Sequence, residues 1–109
     1  MKLLKFRPHL VDLILDGQKT TTWRLFDDKD IKSGDRLLFV DWETGKEFAT
    51  AEAVKVVEKK LGAIDENDYA GNQHEKFENE EEMIETYRRY YGDKVDRETM
   101  VKIIHFKLN

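Results

Sequence analysis

The sequence contains no cysteine, a single proline and no long uninterrupted hydrophobic stretch. The lack of cysteine excludes a disulfide framework, a thiolate metal site and a cysteine nucleophile. No apolar run approaches the roughly 18 residues of a membrane-spanning helix, and residues 1–7 place charges where a signal peptide needs its apolar stretch. We therefore expect a cytoplasmic protein without a membrane partner.

A strong excess of positive charge is also absent. The formal net charge is −4, and it divides into +1 over residues 1–60 and −5 over residues 61–109. Proteins that bind long nucleic acids through the phosphate backbone usually carry a basic patch, because Lys and Arg contacts supply most of the nonspecific affinity. Any RNA binding by this chain therefore has to be local.

The length of 109 residues allows one domain, spanning 1–109, and we expect a monomer. Hydrophobic residues make up 39% and aromatic residues 11%, which is too much for a disordered chain. The residue patterns predict strands at 2–7, 20–25, 36–42, 47–60 and 100–108, and helices at 8–16 and from Asn79 to Gly92.

This order of elements lacks a regular strand–helix alternation, so it predicts an α+β fold with a mixed, barrel-like sheet and helices at its ends. Partial alternation within 47–60 predicts a bulge, and 61–70 suggests one short helix. The last strand, at 100–108, alternates, and its even-numbered positions are the more apolar set.

The segment 17–24, GQKTTTWR, concentrates cations and hydroxyls directly after a predicted helix end. In a strand, Thr20, Thr22 and Arg24 project to one face. Together with Lys19, these groups offer charge-assisted donors to an anionic or carbonyl-rich ligand. The alternative interpretation is that Lys19 and Arg24 are ordinary surface residues.

A second polar group, NQHE at 72–75, lies in a predicted loop. Glu75 could pair with Lys19 or Arg24 if the fold brings them together, and His74 could donate to a base or phosphate. The alternatives are a solvated acid and a surface histidine. The three histidines have no metal-ligand spacing, so we expect no metal site.

Two tryptophans leave a similar choice. Trp23 and Trp42 could stack on a nucleobase. Their predicted strand positions among apolar residues favour core packing instead.

The segments 14–24, ILDGQKTTTWR, and 33–39, SGDRLLF, resemble the ASCH domain family, which has the PUA-like fold. The family's hallmark is a helix that ends in Gly-x-Lys-Thr, then a Thr-x-Arg strand and a Gly-Asp turn. EKF at 75–77 and YYG at 90–92 are similar to its second helical region. The resemblance implies a PUA-like mixed β-barrel with helices flanking a cleft.

The resemblance also implies a function. ASCH domains are generally thought to bind RNA or modified nucleosides, and some small bacterial members are amidohydrolases that convert N(4)-acetylcytidine to cytidine with a lysine, a threonine and a glutamate. These map onto Lys19, Thr22 and Glu75, with Glu78 as a competitor for the glutamate. Thr20, Arg24 and His74 would then contact a modified nucleoside or single-stranded RNA, without a cofactor or metal.

This assignment is chemically coherent. A threonine hydroxyl needs a base to become a nucleophile, and a neutral lysine amine can accept its proton. Free lysine titrates near pKa 10.4, so its surroundings have to lower the pKa of Lys19. Glu75 could donate a proton to the leaving amine or position water. The alternatives are a non-catalytic RNA-binding module in translation or RNA processing and, third, a ribonuclease.

Overall fold

A computed structural model describes residues 1–72 and 76–109 of the chain. No helix in these ranges is long and apolar enough to cross a membrane. The strands are β1 (Lys2–Phe6), β2 (Thr21–Leu25), β3 (Arg36–Asp41), β4 (Glu47–Lys60) and β5 (Met100–Leu108). The helices are α1 (Pro8–Leu15), α2 (Glu80–Tyr91) and two short 3-10 helices, Leu61–Ala63 and Glu66–Tyr69.

The five strands form one mixed sheet in the order β1-β3-β4-β5-β2. β1 and β3 are parallel, and the other neighbouring strands are antiparallel. The sheet curls until its two edge strands approach each other, since Arg24 on β2 donates a hydrogen bond to the carbonyl of Lys5 on β1 at 2.8 Å. We call the gap between these edges the seam. The predicted α+β fold with a PUA-like, barrel-like sheet is confirmed.

Two hydrophobic cores lie on opposite faces of the sheet. Consecutive residues of β5 belong to different cores. Ile104 lies in the core under α1, and Ile103 lies in the core under α2. Both alternating sets of positions therefore contribute buried residues, including the odd-numbered set, which is the less apolar one in the sequence. Val101 and Ile103 are as deeply buried as Ile104, since each face of β5 has a helix packed over it.

Local sequence rules account for most element boundaries. Pro8 occupies the first turn of α1, and the Asn79 side chain accepts a hydrogen bond from the Glu82 amide at 2.8 Å to cap α2. The predicted irregularity in β4 is confirmed by a register shift between Ala53 and Lys55. The suggested single helix at 61–70 is wrong, because a capping box at Asp65 starts a second, separate 3-10 helix.

Candidate functional site

A cleft of about 810 Å³ opens at the seam. Its walls come from the β1–α1 junction, from the middle of β2 and from one face of α2. We call it the seam cleft. The β2 wall consists of Thr22, Trp23 and Arg24, three consecutive residues of the segment that the sequence singled out.

Thr22 and Arg24 stand on the same face of β2, as the strand parity predicted. Thr22 is only 4% exposed, so its hydroxyl is sheltered at the cleft wall. The Arg24 guanidinium lies over the Phe6 ring, with Cζ 4.9 Å from the ring centroid, and it reaches across the seam to β1. The cleft wall thus combines a hydroxyl with a cation that is fixed by both edge strands.

Trp23 belongs to the core under α2, as expected, and its ring packs on Tyr69 with centroids 5.2 Å apart. Burial raises the pKa of the Tyr69 phenol. The buried indole Nε1 of Trp23 finds no hydrogen-bond acceptor among the residues that the structure describes. A buried donor without an acceptor carries a desolvation cost, so a ligand that accepts from it would recover free energy.

Lys19 is 1% exposed, which contradicts its interpretation as a surface residue. Its Nζ donates a hydrogen bond to Oδ1 of Asn72, also 1% exposed, at 2.6 Å. The Lys19 amide donates to the carbonyl of Leu13, which fixes the lysine against the end of α1. Lys19 is not among the residues that line the seam cleft.

A close backbone approach holds Asn72 in place. The Thr20 amide donates to the Gly71 carbonyl at 3.0 Å, and Gly71 has a φ of 78°. A Cβ atom at Gly71 would collide with Oγ1 of Thr20. Glycine is therefore required both for the left-handed backbone and for the packing that presents Asn72 to Lys19.

The remaining predicted site residues have different positions. Thr20 is exposed and packs on Gly71, outside the cleft lining. Glu78 is also exposed and outside the lining. His74 and Glu75 lie outside the described residues. Within 1–72 and 76–109, the acidic and histidine side chains form no group of three or more that could hold a metal ion.

Sequence reasoning missed a cluster at the mouth of the cleft. Arg7 lies between the rings of Trp42 and Tyr90, and its Cζ is 4.8 Å and 5.5 Å from their centroids. The expectation that Trp42 is core is wrong, because its side chain is 57% exposed. The residue follows the end of β3, beyond a register shift at Phe39 and Val40, so strand parity no longer predicts its direction.

Cations outnumber carboxylates in the described lining of the seam cleft, although the chain is acidic. Its described lining contains a single carboxylate residue, Glu82, whose Oε2 already accepts a hydrogen bond from the Glu78 amide at 3.0 Å. Six lysines and arginines line it: Lys5, Arg7, Arg24, Lys29, Lys76 and Arg89. This local concentration of cations suits a ligand that carries negative charge or carbonyl oxygens.

Solved structures with a similar architecture identify the fold. The ASCH domain from Lactobacillus crispatus JV V101 has a TM-score of 0.73 and 16% identity, over 98% of this chain and 79% of that one. A protein from Enterococcus faecalis V583, described by the family model DUF984, has the same score and identity over 92% and 69%. The chain has the ASCH-domain fold.

A further solved structure aligns over its full length with this chain. The hypothetical protein PH0355 aligns over 100% of both chains, with a TM-score of 0.71 and 24% identity. No protein-family model and no curated protein matches the sequence. At these identities the likeness establishes the fold, and the function has to be inferred from the site itself.

Proposed function

We propose that this protein binds a modified cytidine in the seam cleft and hydrolyses N(4)-acetylcytidine to cytidine and acetate. Thr22 is the proposed nucleophile, Lys19 its base and Glu75 the third catalytic residue. The observation that carries the proposal is the position of Thr22. Thr22 is buried and lines the seam cleft, next to the Arg24 cation.

The proposed reaction proceeds in two steps. Thr22 Oγ1 loses its proton to Lys19 and attacks the acetyl carbonyl carbon, and the bond from that carbon to the exocyclic nitrogen of cytosine then breaks. A proton goes to the departing nitrogen, which leaves as the amine of cytidine. Water then hydrolyses the threonyl ester, releases acetate and regenerates the hydroxyl. Glu75 either protonates the leaving amine or positions the water.

The position of Lys19 supports its role, because the side chain is buried and its amine is held by a neighbouring amide. The Asn72 amide oxygen orients the amine by accepting a hydrogen bond from it. Arg24, which lines the cleft, provides a donor for the carbonyl oxygens of an acetylated cytosine.

The decisive experiment compares two adjacent threonines. Thr21 and Thr22 are both buried, but only Thr22 lines the cleft. Thr22→Val removes the hydroxyl with little change in shape and should lower turnover of N(4)-acetylcytidine by a hundredfold or more. Thr21→Val, the matched control, should retain turnover within a few fold. Equal effects of the two substitutions would exclude Thr22 as the nucleophile.

Lys19 is tested by separating charge from basicity. Lys19→Ala should abolish turnover, and Lys19→Arg should not restore it, because arginine keeps its proton in proteins. Chromatography of the nucleosides measures turnover, and circular dichroism confirms that each variant folds. Activity in Lys19→Arg would contradict the base assignment.

A second candidate function is a non-catalytic RNA-binding module. The excess of cations over carboxylates in the described lining of the seam cleft favours it, since cations around a concave surface attract phosphate groups. RNA binding without catalysis is better supported than deacetylation if the wild-type protein hydrolyses no acylated nucleoside and still binds RNA. Lys19→Arg would then retain much of its affinity.

A further inference from the structure

The cluster of Arg7, Trp42 and Tyr90 lies at the mouth of the seam cleft and lines it. We call it the aromatic platform. Trp42 is 57% exposed and Tyr90 is 59% exposed, while the Arg7 guanidinium lies over both rings. Three separate elements contribute these side chains, namely the start of α1, the end of β3 and the last turn of α2.

Backbone hydrogen bonds and a ring contact hold the aromatic platform in place. The Trp42 amide donates to the Phe6 carbonyl at 2.8 Å, which attaches the end of β3 to β1. The Asp41 carboxylate accepts hydrogen bonds from the Glu43 and Thr44 amides at 2.8 and 3.2 Å and fixes the turn there. The Tyr90 ring packs edge-on against Tyr87, a residue of the core. The exposed rings therefore stand on ordered backbone and lose little freedom when they bind a ligand.

The cations around the platform are only partly neutralised. Within the described residues, neither Lys5 nor Arg7 has a carboxylate within ion-pair distance. Lys76 pairs with Glu66, but that carboxylate lies outside the cleft lining. Positive charge is therefore available beside a flat aromatic surface.

A planar guanidinium between exposed rings, next to unpaired cations, suits a nucleobase with an attached phosphate. Aromatic rings hold bases by stacking, and cations hold the phosphate that links one nucleotide to the next. We propose that the aromatic platform binds the nucleotide adjacent to the one in the seam cleft, so that the preferred ligand is a cytidine within single-stranded RNA. This inference rests on one part of the proposed function, namely that the seam cleft accepts a cytosine base.

The test measures binding without turnover. Calorimetry compares free cytidine with a single-stranded RNA trinucleotide that has cytidine at its centre. The trinucleotide should bind at least tenfold more tightly, and Trp42→Ala or Tyr90→Ala should each weaken its binding about tenfold. The same substitutions should weaken the binding of free cytidine much less than that of the trinucleotide, since a free nucleoside has no neighbouring nucleotide for the platform to hold.

The chain contains a matched control. Phe26 is 46% exposed and lies under the Lys94 ammonium at 4.2 Å, so it is another exposed ring with a cation, but it does not line the cleft. Phe26→Ala should not change the affinity for the trinucleotide. Equal affinities for cytidine and trinucleotide, no detectable trinucleotide binding, or equal losses in Phe26→Ala and Trp42→Ala would each overturn the inference.

Failure of the two proposals can be told apart. If no acylated nucleoside is hydrolysed but Trp42→Ala weakens trinucleotide binding, the platform is supported and deacetylation is not. If free N(4)-acetylcytidine is hydrolysed and Trp42→Ala leaves trinucleotide binding unchanged, deacetylation is supported and the platform is wrong.

Discussion

Two charged regions flank β2 and differ in what their cations contact. Beyond the end of the strand, the Asp27 carboxylate accepts hydrogen bonds from the amides of Lys29 and Ile31 and from the Lys102 ammonium at 2.9 Å. We call this group the Asp27 cluster. At the seam cleft, by contrast, the Arg7 guanidinium contacts two exposed aromatic rings.

The difference separates charge that stabilises the fold from charge that remains available to a ligand. The side chains of Asp27 and Lys102 are 6% and 11% exposed, and each is the other's partner. The rings of Trp42 and Tyr90 beside Arg7 remain accessible to solvent. The contact of Arg7 with these rings therefore removes little surface from water. The two regions should therefore respond differently to substitution, with large effects on stability in the first and on binding in the second.

Asp27→Ala tests the stabilising region and should have the largest effect on folding. Removing one partner of a buried ion pair leaves the other charge uncompensated, which costs about 3 kcal/mol. Glu58 lies 3.8 Å from the Lys102 ammonium and offers partial compensation, so we expect the lower end of the range for such pairs. Urea denaturation measures the free energy of unfolding. A loss below about 1 kcal/mol would contradict the assignment.

The pH dependence of stability provides a control for the Asp27 cluster. Burial alone raises the pKa of Asp27, but hydrogen bonds from the Ile31 amide and the Lys102 ammonium outweigh it and lower the pKa below 3.8. A carboxylate with a lowered pKa stabilises the fold above its unfolded value, and the contribution is lost as the pH falls through the folded value. Stability should therefore fall below about pH 4, less steeply in Asp27→Asn than in the wild type.

Gly71→Ala tests the backbone that supports the site and should have an intermediate effect. Gly71 and Gly45 have similar φ angles of 78° and 75°, but only Gly71 has a side chain, that of Thr20, in the way of an added Cβ. Alanine at Gly45 should cost about 1 kcal/mol for the left-handed conformation alone. Alanine at Gly71 should cost about 1 kcal/mol more and displace Asn72 from Lys19.

A double variant isolates the collision. Thr20→Ala removes the Oγ1 atom that an added Cβ at Gly71 would meet. The combined variant Thr20→Ala with Gly71→Ala should therefore lose only about as much stability as Gly45→Ala. Thermal and urea unfolding of the four proteins measure the coupling, and strictly additive losses would show that the contact is not the cause.

The elements governed by local rules were predictable from the sequence. Pro8 at the start of α1, Asn79 at the cap of α2 and the bulge in β4 are local signals, and each occurs where it was predicted. The orientation of Trp42 and the burial on both faces of β5 were not predictable. They depend on a register shift and on helices that cover both sides of the sheet, which strand parity cannot express.

The candidate site likewise contains residues that were predictable from the sequence and contacts that were not. Thr22 and Arg24 were found from strand parity within one short segment, and both line the cleft. The contact of Lys19 with Asn72, and the position of Arg7 between Trp42 and Tyr90, join residues that are far apart in the sequence. Only the curled sheet brings them together, so no spacing or composition signal could have revealed them.

Arg7→Ala completes the comparison and should have the smallest effect on stability. Arg7 is the residue before α1, but its side chain makes no capping hydrogen bond to the helix. Its contacts with two exposed rings are worth about 0.5–1 kcal/mol at such sites. Urea denaturation should therefore show a loss below about 1 kcal/mol with an unchanged denaturant slope, far less than Asp27→Ala. A loss as large as that of Asp27→Ala would show that this cation, too, is required for folding, and the distinction between the two regions would fail.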